Sequence, residues 1–455
     1  MASPIPILSS LLYQSSSDAG LKAQFIGQRL DEIQTPAAIL DVAIVRRNCS
    51  AMLDAAAALK MQFRAHVKTH KTAELTSLQV GPTGPIRIIT STISEIEHLI
   101  PYLLAQKTAG RSINVLYGLP ASPSSLPRLA KLAHVLGGTQ AISVLIDHPD
   151  TSDFISQSHE LWPGGEPIRV FVKIDSGYHR SGTNTKSPVW KMLLEKIEKR
   201  EGDGTVRVVG LYSHFGHSYR GNTPEDALVG LKTEFETLEH AAKEMESSLA
   251  PKSHLTFSVG ATPTATAAQT LLGGRKSAQV EGVGRKNKDI RLELHAGVYP
   301  ILDLQQMATH ARPSKLSYED LGLRILAEVA SLYPDRAKPE ALIAAGSLVL
   351  GREPCKAYSG WGILTSYPQV GDELPVYDFE SKTGWIVNQV SQEHGVLSWE
   401  GPRDHMRELK IGEKVMIWPN HACVAGVGFG WYYVVDSDEE DPDVIKDVWV
   451  RCRGW

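Results

Sequence analysis

Residues 64–71 read RAHVKTHK, which puts Lys68 at the carboxyl end of a short alternating strand and directly before a helix start. In β/α proteins the carboxyl ends of strands are where chemistry sits. A lysine there forms an imine with an aldehyde best when partial burial or nearby cations lower its pKa, and His66, His70 and Lys71 are its neighbours. Alone, such a lysine is more often a solvated edge residue, so its meaning rests on what accompanies it. Further apolar runs end in KIDSGYHRSG, with Asp175, Tyr178 and Arg180, and in GLYSHFGHSY, with Tyr212, His214, His217 and Tyr219. Another ends in ELHAGVY, with His295 and Tyr299. Before it lies SVGATPT, residues 258–264, where the small Gly260 and Ala261 expose backbone N–H groups beside the Thr262 hydroxyl. That nest suits a phosphate, more so if Pro263 opens a helix whose dipole faces it. An imine-forming lysine, a phosphate nest, an arginine and a histidine at one mouth are what pyridoxal 5'-phosphate requires.

A second constellation lies far downstream in WPNHAC, residues 418–423. In an extended segment positions i and i+2 share a face, so His421 and Cys423 are placed to bind one ion together. Imidazole plus thiolate suits zinc. Two protein ligands leave coordination positions for water or substrate, which is a catalytic rather than a structural arrangement. Taken alone, a His-x-Cys pair is a chance pairing in most proteins.

The elements that must position these residues follow from the pattern of apolar runs. Short strands at 62–68, 86–90, 113–118, 142–147, 169–175, 206–214, 255–260 and 291–297 alternate with helical patterns. Eight such units predict an α/β fold, a closed (β/α)8 TIM-like barrel, with an open doubly wound sheet as the rival arrangement. From about residue 320 the runs ALIAAGSLVL, WGILTSYP, TGWIVNQVS, GVLSWE, EKVMIWP, WYYVVD and VIKDVWVRC predict a mainly-β C-terminal domain. The division expected is a leader at 1–34 with one helical segment, the barrel at 35–315 and the β domain at 316–455. The early strand at 37–42 is free to join the β domain. The basic, glycine-rich 273–288 reads as an insertion between strands, and the acidic DSDEEDPD at 436–443 as a solvated hairpin loop.

Composition sets the outer limits. The chain has 455 residues, 42% hydrophobic and 22% charged, with a formal net charge of −4, so nothing global favours nucleic acid or an anionic membrane. No apolar run reaches the length of a membrane span, and PIPILSSLLY at the start lacks the basic flank of a presequence. Cys49, Cys355, Cys423 and Cys452 are too few and scattered for a disulfide framework, and a reducing, cytoplasmic setting is expected.

RAHVKTHK, KIDSGYHRSG, GLYSHFGHSY, SVGATPT and PNHAC, in this order from about residue 35 to 455, resemble the eukaryotic-type D-serine dehydratase group. That group belongs to the alanine racemase-like, fold type III pyridoxal-phosphate enzymes, which also include D-threonine aldolases. The resemblance implies that Lys68 carries the cofactor, that Arg180 approaches its phenolic oxygen and that His214 lies against the ring face. It places Gly260, Ala261 and Thr262 on the phosphate and His295 opposite the pyridine nitrogen. His66, Tyr212, Tyr219 and Tyr299 complete the cofactor contacts, and His421 with Cys423 holds zinc. A homodimer is implied, with a small D-amino acid as substrate. The reaction implied is β-elimination of D-serine to pyruvate and ammonia. The alternatives are aldol cleavage of D-3-hydroxy amino acids, where the relatives' metal pair tends to be His and Asp, and a non-catalytic cofactor carrier. The sequence departs from many relatives at Ala344, Val298 and Pro300, positions expected to shape the substrate pocket.

Overall fold

The computed structural model describes residues 16–248, 255–269, 290–312, 314–367 and 374–455. All eight expected strands are present: β2 (Gln62–His66), β3 (Ile86–Thr90), β4 (Ile113–Pro120), β5 (Ile142–Ile146), β6 (Ile168–Lys173), β7 (Val206–Tyr212), β8 (Leu255–Val259) and β9 (Ile290–Ala296). They close in chain order into a parallel barrel, with β9 pairing back onto β2, so the sheet has no free edge. Outward-facing residues such as Ile88, Val115, Val144 and Val170 pack against the helices in one continuous core.

Two-residue alternation organises the barrel interior. Its middle is apolar, formed by Ile89, Leu116, Leu145, Phe171 and Tyr212. On β2 and β9 the inward positions run Arg64 then His66, and Glu293 then His295, so each strand carries charge below this layer and imidazole above it. Helix 93–108 shows how the loops above are pinned. Thr92 accepts from the Glu95 N–H, and the buried Glu95 carboxylate accepts from Ser91 N–H at 2.7 Å and pairs with Lys71 at 3.1 Å.

The second unit is a nine-stranded sheet containing β1 (Ala37–Asp41), β10 (Leu323–Tyr333), β11 (Glu340–Ile343), β12 (Gly362–Ser366), β13 (Gly384–Val390), β14 (Gly395–Glu400), β15 (Lys414–Pro419), β16 (Trp431–Val435) and β17 (Asp447–Val450). β1 does join it, antiparallel to β10 and parallel to β16. The single helical segment of the leader is Asp18–Phe25, capped by Ser17 and packed through Phe25 on Tyr433 with ring centroids 5.0 Å apart.

The structure departs from the expected pattern in three places. The longest strand, β10, was absent from the expected runs, and only the first part of ALIAAGSLVL is strand, because Ser347–Leu350 turns into a short helix. The acidic run does connect the antiparallel β16 and β17, but it is not simply solvated. Asp436 and Asp443 are buried, and Arg46 grips Asp436 through two 2.9 Å bonds while Arg29 pairs with Asp441 and Asp443. Segment 273–288 lies outside the described residues. No described helix is long and apolar enough to cross a membrane.

Candidate active site

A cavity of about 420 Å³ opens at the carboxyl ends of the barrel strands, against the second sheet. Lys68 lines it together with His66, Arg180, His214, Tyr219, Ala261, Thr262, His295, His421 and Cys423. Residues spread over more than 350 positions of sequence therefore share one chamber. Tyr178, Arg220, Gln305 and Lys356 line it as well, and the Lys356 ammonium bonds the Gly221 carbonyl across the seam between the two units.

The lysine loop is held from outside the barrel. Arg451, just beyond β17, donates to the carbonyls of His70 at 3.1 Å and Thr69 at 3.3 Å, and Cys452 N–H donates to Lys71 O at 2.8 Å. Lys71 takes a positive φ of 58° at the turn. The expected cationic neighbours of Lys68 are not there. His70 is fully buried against Gln79 at 2.9 Å and burial pushes it down to about 3, while Lys71 is committed to Glu95.

Three imidazoles in the cavity are held neutral, chiefly by burial. His66 and His295 lie well below the usual histidine range, and His214, with Lys68 and Arg180 adding repulsion, falls to about 3. His214 Nδ1–H donates to Gly260 O at 2.7 Å, which fixes its tautomer. The Nδ1 of His295 bonds Ser258 Oγ at 3.0 Å, and its buried Nε2 has no hydrogen-bond partner among the described residues. Its ring stacks on Tyr212 at 4.3 Å.

Around the expected phosphate nest, Gly260 has a φ of +145°, and a Cβ there would come within 2.1 Å of His295 O, so only glycine lets β8 approach β9 so closely. Thr262 begins the short helix Thr262–Ala267 and its hydroxyl accepts from Val298 N–H at 3.2 Å.

His421 and Cys423 do meet, but not on a strand. β15 ends at Pro419, His421 is the N-cap of helix Ala422–Ala425 and Cys423 lies in its first turn. Asp303 fixes that start by accepting from Ala422 N–H at 2.9 Å, and Asn420 donates to Gly360 O at 2.8 Å and Glu353 O at 3.0 Å. Burial opposes charge on His421, yet its hydrogen bond to Cys423, with Asp303 and Glu353 nearby, raises it to about 9. For Cys423 burial acts upward, but His421, Lys68 and Thr69 outweigh it and hold the thiol below its ordinary value. Each group thus favours the charged form of the other, and once His421 gives up its proton the imidazole nitrogen and the Cys423 thiolate form a donor set that fits zinc. No third histidine, cysteine or carboxylate completes a metal cluster among the described residues.

Some expected site residues lie elsewhere. Tyr212 sits beneath His295 in the barrel interior rather than on the cavity wall, and Gly260 acts through its backbone just behind it. Tyr299 has left the mouth altogether and packs edge-on against Phe63 at 5.5 Å. Asp175 accepts from Gly177, His179 and the His179 ring to shape its own loop, and the His217 ring packs tilted against Phe215. Of the three departures, Val298 lines the cavity, whereas Pro300 and Ala344 do not.

Two polar residues behind the cavity, absent from the candidate site residues, support its wall. Lys173, first residue of KIDSGYHRSG, is buried over the Tyr212 ring at 5.8 Å, and burial with Arg180 brings it down to about 8. Glu234 lies on helix Pro224–Ser248 among Leu231, Phe235 and Leu238, fully buried. Its carboxyl accepts from Phe215 N–H at 2.9 Å, Gly260 N–H at 3.1 Å and Thr264 Oγ1 at 3.2 Å, tying the His214 loop to the Gly260 loop. A charged residue on the apolar face of a helix was the signal for it.

Burial pushes Glu234 up to about 8, against these three hydrogen bonds, from an ordinary value of 4.5. A carboxyl raised on folding contributes stability that is complete below its unfolded pKa and is lost as pH rises through the folded one. Thermal melts are expected to show Glu234→Gln gaining on the wild type between about pH 5 and 8. Glu234→Ala is expected to cost about 3 kcal/mol, because it strands buried donors. Parallel pH profiles for the glutamine variant and the wild type would contradict this.

A parallel barrel with a lysine at its mouth, opposed by a β unit, defines the alanine racemase-like class of pyridoxal-phosphate enzymes. The family model described as "Alanine racemase, N-terminal domain" matches residues 40–273, and "Putative serine dehydratase domain" matches residues 322–435. The D-serine dehydratase of Schizosaccharomyces pombe is 34% identical over 100% of both chains. That of Saccharomyces cerevisiae is 31% identical over 95% of this chain and 99% of the relative. The chain belongs to the D-serine dehydratase family, whose members are pyridoxal-phosphate-dependent lyases. Among solved structures, D-threo-3-hydroxyaspartate dehydratase from Delftia sp. HT23 superposes with a TM-score of 0.72 at 26% identity, covering 94% of this chain and 100% of that one. Variants of that enzyme with a histidine, or the cysteine two positions on, changed to alanine have also been solved, the cysteine variant in a metal-free form.

Proposed function

We propose that this protein is a pyridoxal 5'-phosphate- and zinc-dependent D-serine dehydratase that converts D-serine to pyruvate and ammonia. The observation that carries the reading is that Lys68 and the His421–Cys423 pair line the same cavity although the chain separates them by the whole barrel. The residues fit both groups. Lys68 is available for an imine, Ala261 and Thr262 offer a phosphate cradle on the wall, and the unpartnered Nε2 of His295 is free for a ring nitrogen. His421 and Cys423 offer the nitrogen and sulfur donors zinc takes. The His-x-Cys spacing of the metal-free variant's parent supports the metal assignment.

When bound, the cofactor supplies an electron sink for charge at Cα and zinc a Lewis acid for the departing hydroxyl. The protein does the rest. Lys68 takes the Cα proton of the bound amino acid. Arg180, braced on the Tyr178 ring at 5.1 Å, would present its positive charge to the cofactor's phenolic edge. The neutral His214, held by Gly260 O, would cover one face of the ring, and the neutral His295 would offer its unpartnered Nε2 to the ring nitrogen without adding a charge there. His421 and Cys423 would hold the ion beside the β-hydroxyl, and Thr69 steadies the sulfur at 3.1 Å. Cys423 in place of a carboxylate favours zinc and elimination over aldol cleavage.

In this reading the barrel, 35–315, holds the cofactor and the β unit, 316–455, brings the metal pair. The family resemblance further supports a homodimer, and the few, scattered cysteines support a reducing, cytoplasmic setting. Purified, zinc-loaded protein is expected to release pyruvate and ammonia from D-serine and neither from L-serine. Glycine and acetaldehyde from D-threonine, without pyruvate from D-serine, would instead establish an aldolase.

A further inference from the structure

The amino-terminal end of the barrel carries a second cavity, of about 200 Å³, on the far side of the apolar layer from Lys68. No residue lines both cavities. Arg64, Arg87, Arg169 and Arg291 line the lower one, and Glu293 is the only carboxylate among its lining residues. Arg64, 3% exposed, is committed: its Nε donates to Glu293 at 2.7 Å and its Nη1 to Asn114 Oδ1 at 2.8 Å. The other oxygen of the fully buried Glu293 lies 3.8 Å from Arg87 Nε. That one carboxylate is therefore neutralised twice over. Arg169 has no carboxylate within ion-pair distance among the described residues, and its buried Nε has no hydrogen-bond partner there. Arg64 and Arg291 repel both Arg87 and Arg169, and with burial they bring both guanidiniums below the usual arginine range.

A barrel floor needed only for packing is filled by branched apolar residues. Here the strands instead converge four guanidiniums around one carboxylate, with the buried Nε–H of Arg169 unmatched, an arrangement that costs stability unless an anion joins it. We propose that this end of the barrel binds a small polyvalent oxyanion of phosphate type between Arg87, Arg169 and Arg291, over the Arg64–Glu293 pair. Guanidinium forks match the oxygen spacing of such an ion. The cavity admits inorganic phosphate or a compact phosphate monoester, and is too small for a nucleotide. It is separate from any cofactor phosphate at the mouth.

The test is calorimetric titration of inorganic phosphate into the holoenzyme, with ionic strength held constant by sodium chloride. Saturable binding of one phosphate per chain is expected, weakened at least tenfold in Arg169→Gln, whose pyruvate formation stays at the wild-type rate. In phosphate-free buffer that variant is expected to melt no lower than the wild type, because a repelling charge has gone. Arg291→Gln, at an exposed position, gives the same readout should Arg169→Gln fail to fold. Absence of saturable heat, or affinity unchanged in the variant, overturns the proposal.

Discussion

Replacing Lys68 by alanine is expected to lower pyruvate formation from D-serine by about 10³-fold or more, since one residue both carries the cofactor and moves the Cα proton. Lys68→Arg should fail equally. It keeps the positive charge beside His66 and His214 but supplies neither a nucleophile nor a base of suitable pKa. A primary amine added to the alanine variant should restore part of the rate, and the restored rate should follow the amine's size, because the cavity is bounded by Val298, Tyr219 and Gln305. Coupled pyruvate assays on the three proteins are sufficient. An alanine variant within tenfold of the wild type would end the assignment of Lys68.

The second large effect concerns the metal pair. His421→Ala and Cys423→Ala are each expected to reduce bound zinc from one per chain to traces and to lower elimination by about 10²–10³-fold, the equivalent of several kcal/mol of transition-state stabilisation. Absorbance of the bound cofactor should be unchanged in both, because neither residue belongs to the barrel strands that hold it. Exhaustive chelation of the wild-type protein should reproduce this pattern and zinc should reverse it. Full activity without metal would show that hydroxide leaves by another route. Cys423→Asp adds a sharper comparison: a harder ligand at the same place is expected to shift products towards aldol cleavage.

The barrel was legible because each of its strands is a short apolar run that ends in polar residues, and those ends are the mouth. The second unit was less so. In β10, LRILAEVASLY, the apolar residues satisfy neither strict alternation nor helical spacing, and its pairing with β1 comes from a segment nearly 300 residues earlier. Tyr299 was misplaced because the chain turns at Gly297 and carries the ring out of the mouth towards Phe63. His421 and Cys423 were paired for the wrong local reason, as helix capping rather than strand alternation unites them. Glu234 and the four arginines of the barrel floor were invisible as a group, since each stands alone in sequence and only closure of the barrel assembles them.

The clamp of Arg451 and Cys452 on Thr69, His70 and Lys71 spans 381 positions between Arg451 and His70. During ribosomal synthesis, at roughly 5–20 residues per second, the lysine loop therefore waits about 20–80 s for the residues that hold it. In the last part of that interval, once β9 (Ile290–Ala296) has emerged, every barrel strand exists but the lysine loop is not yet held. Acquisition of the cofactor in its final geometry is consequently a late step of biogenesis, and premature termination between the end of β9 and β17 yields a chain that owns every barrel ligand yet cannot hold the lysine loop in place.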